Sequence, residues 1–247
     1  DLSDLEMIYS FKSFFNSIGS NNIECRQDRI YINPEERINY IFNSSIKGIE
    51  NSDLILLVGT NPRLEASILN ARIRKAYLKN NTKIYSIGDP GDLTYPYEII
   101  GSSTSIVQSI STGSHEISEK IKKSKKPIII IGESALYGEA GGYIFETLKK
   151  FLLKNNFITD NWNALNVLTQ QASRVGAIDL GFYSISGKEN FSFFDKLDSG
   201  LFKFIYLLGA DDINFKKEDK FIVYQGSHGD KGAEIADIVL PGAAYTE

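Results

Sequence analysis

The residues of this chain that could do chemistry gather around glycines. The stretch Phe221–Glu247, FIVYQGSHGDKGAEIADIVLPGAAYTE, reads as an apolar strand, a loop with Gly226, Gly229 and Gly232, a second apolar strand stopped by Pro241, and a small-residue turn with Gly242. Glycines this dense let backbone approach a ligand closely, because they carry no Cβ. His228 in the same loop is a residue type that can move a proton near neutrality, although a loop histidine more often serves in surface hydrogen bonds. Gly59-Thr60-Asn61-Pro62 lies between the apolar run Leu54–Val58 and a helical pattern. At such a place the N–H groups and dipole of a helix start favour an anion such as phosphate. The loop matches neither G-x-G-x-x-G nor G-x-x-x-x-G-K-[ST], and a tight turn into a capped helix explains it without a ligand. Asp89 follows the next apolar run, where dinucleotide-binding sheets place an acid for a ribose hydroxyl. Between Gly88, Pro90 and Gly91 it suits a turn equally.

Other candidates are weaker. Gly132-Glu133-Ser134-Ala135-Leu136 approximates the G-x-S-x-G nucleophile elbow but has Leu136 in place of the last glycine. His115, in Thr112-Gly113-Ser114-His115, reads as a loop residue, and Arg63, Arg72, Arg74 and Lys75 read as a solvated helix face. No acid–base pair, no nucleophile with an orienting base and no metal cluster is legible. The chain has one cysteine, Cys25, and two histidines among 247 residues. An internal disulfide framework is therefore excluded, as is an iron–sulfur or structural zinc site built from the chain's own thiolates. A net charge of −4 argues for neither nucleic acid nor a membrane surface. No apolar run approaches the roughly 18–20 residues that span a bilayer, and Asp1–Phe15 lacks a signal peptide's apolar region. A start without Met and a stop after Tyr245-Thr246-Glu247 suggest a piece excised from a longer protein.

The elements that must position these residues are apolar runs without polar alternation: Leu54–Val58, Ile84–Ile87, Ile128–Ile131, Phe204–Leu208, Phe221–Tyr224 and Ile238–Leu240. Such runs fit strands covered on both faces, as in parallel sheets. After the first, Asn61 is a good N-cap and Pro62 suits position N1. Leu69, Ile73, Ala76 and Tyr77 then form one apolar helical stripe before Asn80-Asn81 and the strand Lys83–Ile87, which completes a βαβ unit. LILLVGTN at 54–61 is echoed by FIYLLGAD at 204–211, so two related α/β units are expected. Their boundary is expected in EKIKKSKK at 119–126, whose lysines suit a helix end. The expected units are thus residues 1–120 and 121–247.

Four segments carry a family resemblance. They are Leu56–Arg63 with Asn70–Lys75, then Asp92-Leu93-Thr94-Tyr95, then nearly all of Tyr224–Glu247, and more loosely Ala172–Gly181. With them the chain resembles the C-terminal part of the large iron–sulfur subunits of respiratory complex I, NADH–quinone oxidoreductase. Through Ala236-Asp237-Ile238-Val239-Leu240-Pro241 it is also similar to the molybdopterin oxidoreductases, such as formate dehydrogenases. The resemblance implies an α/β fold of two Rossmann-like subdomains with mainly parallel sheets. In the working enzymes a molybdenum dinucleotide cofactor lies between the two subdomains. In the complex I subunits it implies an emptied version of that site, with no catalytic residue, cofactor or metal expected here. Gly59, Thr60, Asn61, Asp89, Gly209, Asp211, Gly226 and His228 would be the vestigial cleft.

The resemblance also implies iron–sulfur clusters in an N-terminal region of the full subunit absent here, other peripheral-arm subunits as partners, and no nucleic acid or membrane insertion. The place would be the cytoplasmic side of the bacterial inner membrane or the mitochondrial matrix side. Cys25 lies about where working relatives ligate molybdenum, but Glu24-Cys25-Arg26-Gln27-Asp28 lacks the glycine and proline of the ligand motif. A thiol pKa lowered by Arg26 would suit a ligand or reactive thiolate, but the preferred reading is a loop cysteine with no metal. Asp211 and Asp212 at the second turn would repel an anionic cofactor. The alternatives are a fragment of a working molybdopterin-dependent oxidoreductase and a nucleotide-binding domain without redox chemistry.

Overall fold

The computed structural model describes residues 3–184, 192–211 and 214–244. Asp212 and the closing Tyr245-Thr246-Glu247 of the last resemblance segment lie outside these residues. The chain forms two compact units, Ile30–Gln170 and the paired segments Asp1–Arg29 and Gln171–Glu247.

Ile30–Gln170 is built on a parallel sheet of β1 (Leu54–Val58), β2 (Lys83–Ile87), β3 (Glu98–Gly101), β4 (Pro127–Gly132) and β5 (Leu165–Leu168), in the order β3-β2-β1-β4-β5. Every residue of β1 and β4 is buried, as expected of strands whose two faces are both apolar. The connection from β1 to β2 carries helix Ser67–Asn80, and that from β4 to β5 carries helix Ala140–Lys154. The two steps run in opposite directions along the sheet. Right-handed crossovers therefore put the two helices on opposite faces. On one face Ile55, Leu57, Ile84, Ile128 and Ile130 pack against Leu69, Ile73 and Ala76. Tyr85 points to the other face, where Lys120 Nζ lies 5.1 Å over its ring. The expected single helix after Asn61 is broken. A short turn Pro62–Glu65 ends at Ala66 (φ −154°, ψ 73°), and the long helix restarts at Ser67.

The other unit holds a three-stranded parallel sheet of β6 (Phe204–Leu208), β7 (Phe221–Gly226) and β8 (Ile238–Pro241), in that order. Helix Leu5–Ser17 starts at Asp4, whose carboxylate accepts the Met7 N–H at 2.6 Å. It brings Ile8 and Phe15 together with Ile23, Ala177 and Phe182, and Phe11 meets the Tyr206 ring edge-on at 4.9 Å. Leu207, Ile222 and Tyr224 form a second cluster with Phe215, Ala233 and Ile235.

The division differs from the expected units 1–120 and 121–247. β4 was expected to open the second unit; instead it pairs in parallel with β1 along its length, from Leu54↔Pro127 to Val58↔Ile131. A fully buried Ile contributes about 1.5–3 kcal/mol over an exposed one. Four consecutive isoleucines at 128–131 therefore need a neighbour strand on each side, which β1 and β5 provide. Sequence reading passed over β5 because Asn166 interrupts its apolar run. This asparagine is fully buried, and its Oδ1 accepts the Ser44 N–H at 2.8 Å while its Nδ2 donates to Ser44 Oγ at 2.9 Å and to the Ala164 carbonyl at 3.1 Å. Replacing Asn166 with Ala leaves the Ser44 N–H buried and unpaired. We expect a loss of about 2–3 kcal/mol, measured as a fall in the urea midpoint.

Candidate functional site

Strand order β3-β2-β1-β4-β5 reverses direction between β1 and β4, and α/β ligands bind at the carboxyl ends beside such a reversal. Gly59 follows β1 there with φ +54°, a conformation that glycine adopts without steric cost. The space before it is filled by the chain's own backbone. A Cβ on Gly59 would lie 2.8 Å from both the N and Cβ of Ala135, and the Ser134 hydroxyl donates to the Gly59 carbonyl. A Cβ on Gly132 would lie 2.6 Å from the Thr60 Cβ. The elbow-like segment is thus a helical turn, Glu133–Leu136, packed on the Gly59 turn.

The anion position is also taken. Glu65 reaches back, one oxygen accepting the Asn61 N–H at 2.7 Å and the other the Thr60 hydroxyl at 2.7 Å. Asn61 Oδ1 accepts the Leu64 N–H at 3.2 Å and Asn61 Nδ2 donates to the Pro90 carbonyl at 2.6 Å. Asp89 closes its own turn, accepting the Gly91 N–H at 2.8 Å and the Tyr97 hydroxyl at 3.1 Å. The basic residues have partners as well: Arg63 pairs with Asp92, Arg72 and Lys75 with Glu50, and Arg74 donates to the Thr94 carbonyl. The Thr94 N–H and the Arg63 guanidinium hold the Asp92 carboxyl below its ordinary value. Asn70, from one resemblance segment, bonds the Leu93 carbonyl (3.1 Å) and the Tyr95 hydroxyl (2.7 Å), both from another. These segments meet as a buried packing device.

The second glycine cluster has a similar explanation. Tyr224 on β7 is buried. A Cβ on Gly226 would lie 2.5 Å from its Cζ, and one on Gly232 would lie 2.5 Å from its Cδ2. The group that these glycines approach is a tyrosine of the same chain. Its hydroxyl donates to the His228 carbonyl at 2.9 Å and to Asp211 Oδ2 at 3.3 Å. Burial, and then Asp211, push the phenol up to about 12. Gly209 ends β6 with φ +53°, and its N–H donates to the Gln225 carbonyl at 2.8 Å. His228 is exposed and its Nδ1 lies 2.9 Å from the Ser227 hydroxyl. His115, read as a loop residue, is the N-cap of helix Glu116–Lys123, its Nδ1 accepting the Ile117 N–H at 3.2 Å.

Cys25 lines a cavity of about 90 Å³ with Gly209, Gln27, Ser173 and Arg174. The Arg26 guanidinium, a candidate for lowering the thiol, is buried in a bidentate pair with Glu24, at 2.7 and 2.5 Å. Burial, with Glu24 next, pushes the Cys25 thiol up to about 12, so it is held as the neutral thiol. Among the described residues no group of three His, Cys, Asp or Glu side chains could hold a metal. A larger cavity of about 350 Å³ in the same unit is walled by Phe11, Phe15, Phe182, Phe194, Tyr206 and Phe215. Its aromatics come from two regions far apart in the chain, 11–15 and 182–215, so no local sequence signal announced it.

The residues at the two turns do not fit a dinucleotide's phosphates. One turn presents the Glu65 carboxylate and a packed backbone turn, and the other presents Asp211. Three measurements test these contacts. Gly232→Ala should cost about 2 kcal/mol in urea unfolding, and at least about 1 kcal/mol less when Tyr224 is already Ala; Gly229→Ala, with nothing within 4 Å of its Cβ, should cost under about 0.5 kcal/mol. For Cys25, the raised folded value means that its contribution is full below the unfolded thiol value and is lost as pH rises toward about 12. Stability should therefore fall more steeply above pH 9 in the parent than in Cys25→Ala, and at pH 8 Cys25 should alkylate about a thousandfold more slowly than a free thiol.

Known proteins now add identity to geometry. Over its whole length the chain is 44% identical to the NADH-ubiquinone oxidoreductase 75 kDa subunit of Reclinomonas americana, covering 37% of that protein. It is 43% identical to the mitochondrial NADH-ubiquinone oxidoreductase 78 kDa subunit of Candida albicans, covering 33% of it. It is 39% identical to the mitochondrial NADH dehydrogenase [ubiquinone] iron-sulfur protein 1 of Solanum tuberosum, covering 32% of it. The chain thus spans about a third of the length of the curated relatives it matches. The family description Molybdopterin oxidoreductase matches residues 1–247, and with parallel sheets and glycine-ended strands in both units the chain belongs to the molybdopterin oxidoreductase family.

Proposed function

We propose that this chain is the molybdopterin-oxidoreductase-like part of the large iron–sulfur subunit of respiratory complex I, and that it works there as a scaffold. The subunit takes part in electron transfer from NADH to quinone. In this reading the iron–sulfur clusters belong to another region of the subunit, and this part binds neither pterin nor molybdenum. Its partners are other subunits of the peripheral arm. Its place is the matrix side of the mitochondrial membrane or the cytoplasmic side of a bacterial one. None of the described helices is long and apolar enough to cross a membrane, which is compatible with that place.

The observation that carries this reading is the identity of 39–44% across the entire chain to subunits named for NADH–ubiquinone oxidoreduction. The geometry supports the scaffold role. Glu65 stands where a phosphate would bind at the Gly59 turn, and Tyr224 occupies the room that the second glycine cluster provides. Metal and pterin analysis of the purified native complex tests it. The polypeptide containing this chain should co-purify with NADH–quinone oxidoreductase activity, with less than about a tenth of a molybdenum atom per copy. One molybdenum per copy would overturn the scaffold reading in favour of a working molybdopterin enzyme.

A further inference from the structure

Among the described residues strand β8 is apolar and pairs along one edge only, with β7. Ile238, Val239 and Leu240 are 43%, 55% and 39% exposed. The register Val223↔Ile238, Tyr224↔Val239 and Gln225↔Leu240 puts Ile238 and Leu240 on the Phe221 face of the sheet and Val239 on the Tyr224 face. On the first face the exposed rings of Phe204 and Phe221 stack at 6.3 Å beside them. Strands apolar on both faces belong inside parallel sheets with cover on both sides. Strands that end a sheet in solvent normally carry charge, a bulge or proline along the edge. From Ile238 to Leu240 β8 has no charge or proline; only Pro241, at its end, departs from the pattern.

We infer that β8 is an interior strand of a larger sheet. Its free edge is paired in parallel by a strand from outside these 247 residues but in the same polypeptide, and the crossover leading to that strand covers Ile238 and Leu240. Three observations select this occupant. Every pairing between two of the strands β1 to β8 is parallel, antiparallel contact being confined to the single bridges Phe42↔Asn166 and Ile158↔Asn163, and a parallel neighbour requires a crossover of a dozen or more residues, usually helical. A second copy of this chain meeting the same edge across a two-fold axis would pair antiparallel, against that pattern. The relatives offer the material, since the chain covers only 32–37% of their length. The inference rests on the subunit reading proposed above, because it needs the longer polypeptide.

Hydrogen exchange on the purified full-length subunit, free of partner subunits, tests it, with the assembled complex measured alongside. Peptide 237–242 should exchange in the free subunit as slowly as peptide 54–58 from the enclosed β1, at least about a hundredfold slower than a solvent-exposed edge. Protection that appears only in the assembled complex would assign the cover to a partner subunit and overturn the inference. Protection that rises with concentration of the free subunit would assign it to a second copy and would likewise overturn it. Fast exchange in both samples would leave β8 a true edge, with the same consequence. The subunit reading fails separately, if the full-length protein does not co-purify with the complex.

Discussion

Neither β1 nor β4 leaves a face for water, and that requirement organises Ile30–Gln170. A strand that is apolar on both sides needs a strand at each edge and a helix or loop layer above and below. β1 and β4 meet it by lying side by side, with β2 and β5 outside them. Helix Ser67–Asn80 presents its Leu69-Ile73-Ala76 stripe to one face, and the crossover after β4 brings helix Ala140–Lys154 to the other. Because both strands run the same way, both carboxyl ends open at the same rim. The turns that follow must share a small volume, and Gly59 and Gly132 are the residues that permit it.

That crowding explains why an architecture suited to a ligand is closed at this rim. Where a dinucleotide's phosphate would meet bare N–H groups, the Asn61 N–H already has the Glu65 carboxylate, and the Gly59 carbonyl has the Ser134 hydroxyl. In the other unit the glycines at 226 and 232 make room for the Tyr224 ring, whose hydroxyl ties His228 and Asp211 into the same loop. At both places a group of the chain itself satisfies the hydrogen bonds or fills the space beside the glycines. Such internal contacts are part of the packing of each unit. They leave the backbone polar groups paired without depending on a bound molecule.

Buried charge follows the same logic around Cys25. The Glu24–Arg26 pair is internally compensated and sits two residues apart, and the lowering pull of Arg26 on the thiol is outweighed by burial and by Glu24. Arg174, from the loosest of the four resemblance segments, is buried and pairs with Asp28 at 2.6 Å. Breaking one partner of such a pair leaves an uncompensated charge. Residues that look reactive in isolation are held here as parts of the packing.

Much of the fold was legible from the residues alone. The runs at 54–58, 84–87, 128–131, 204–208, 221–224 and 238–240 are strands, as short β-branched and aliphatic runs bounded by turn residues suggest, and those at 54–58, 84–87 and 128–131 are buried along their length. The Asn61 cap, the Leu69-Ile73-Ala76 stripe and the parallel crossover follow from local chemistry and spacing of 3.6 residues. The family resemblance was carried by short motifs whose side chains, Asn70 and Tyr95 among them, turn out to pack against one another. Hidden from sequence were the features that depend on partners far along the chain. β5 was masked by Asn166, whose polarity is satisfied only when Ser44 comes beside it. The division into units was misjudged because nothing local tells β4 that its neighbour is β1. Most of all, a glycine declares that something will come close without saying what. Only the tertiary structure decides that it is Ala135 at one turn and Tyr224 at the other, because close approach is a property of two segments and a sequence position describes one.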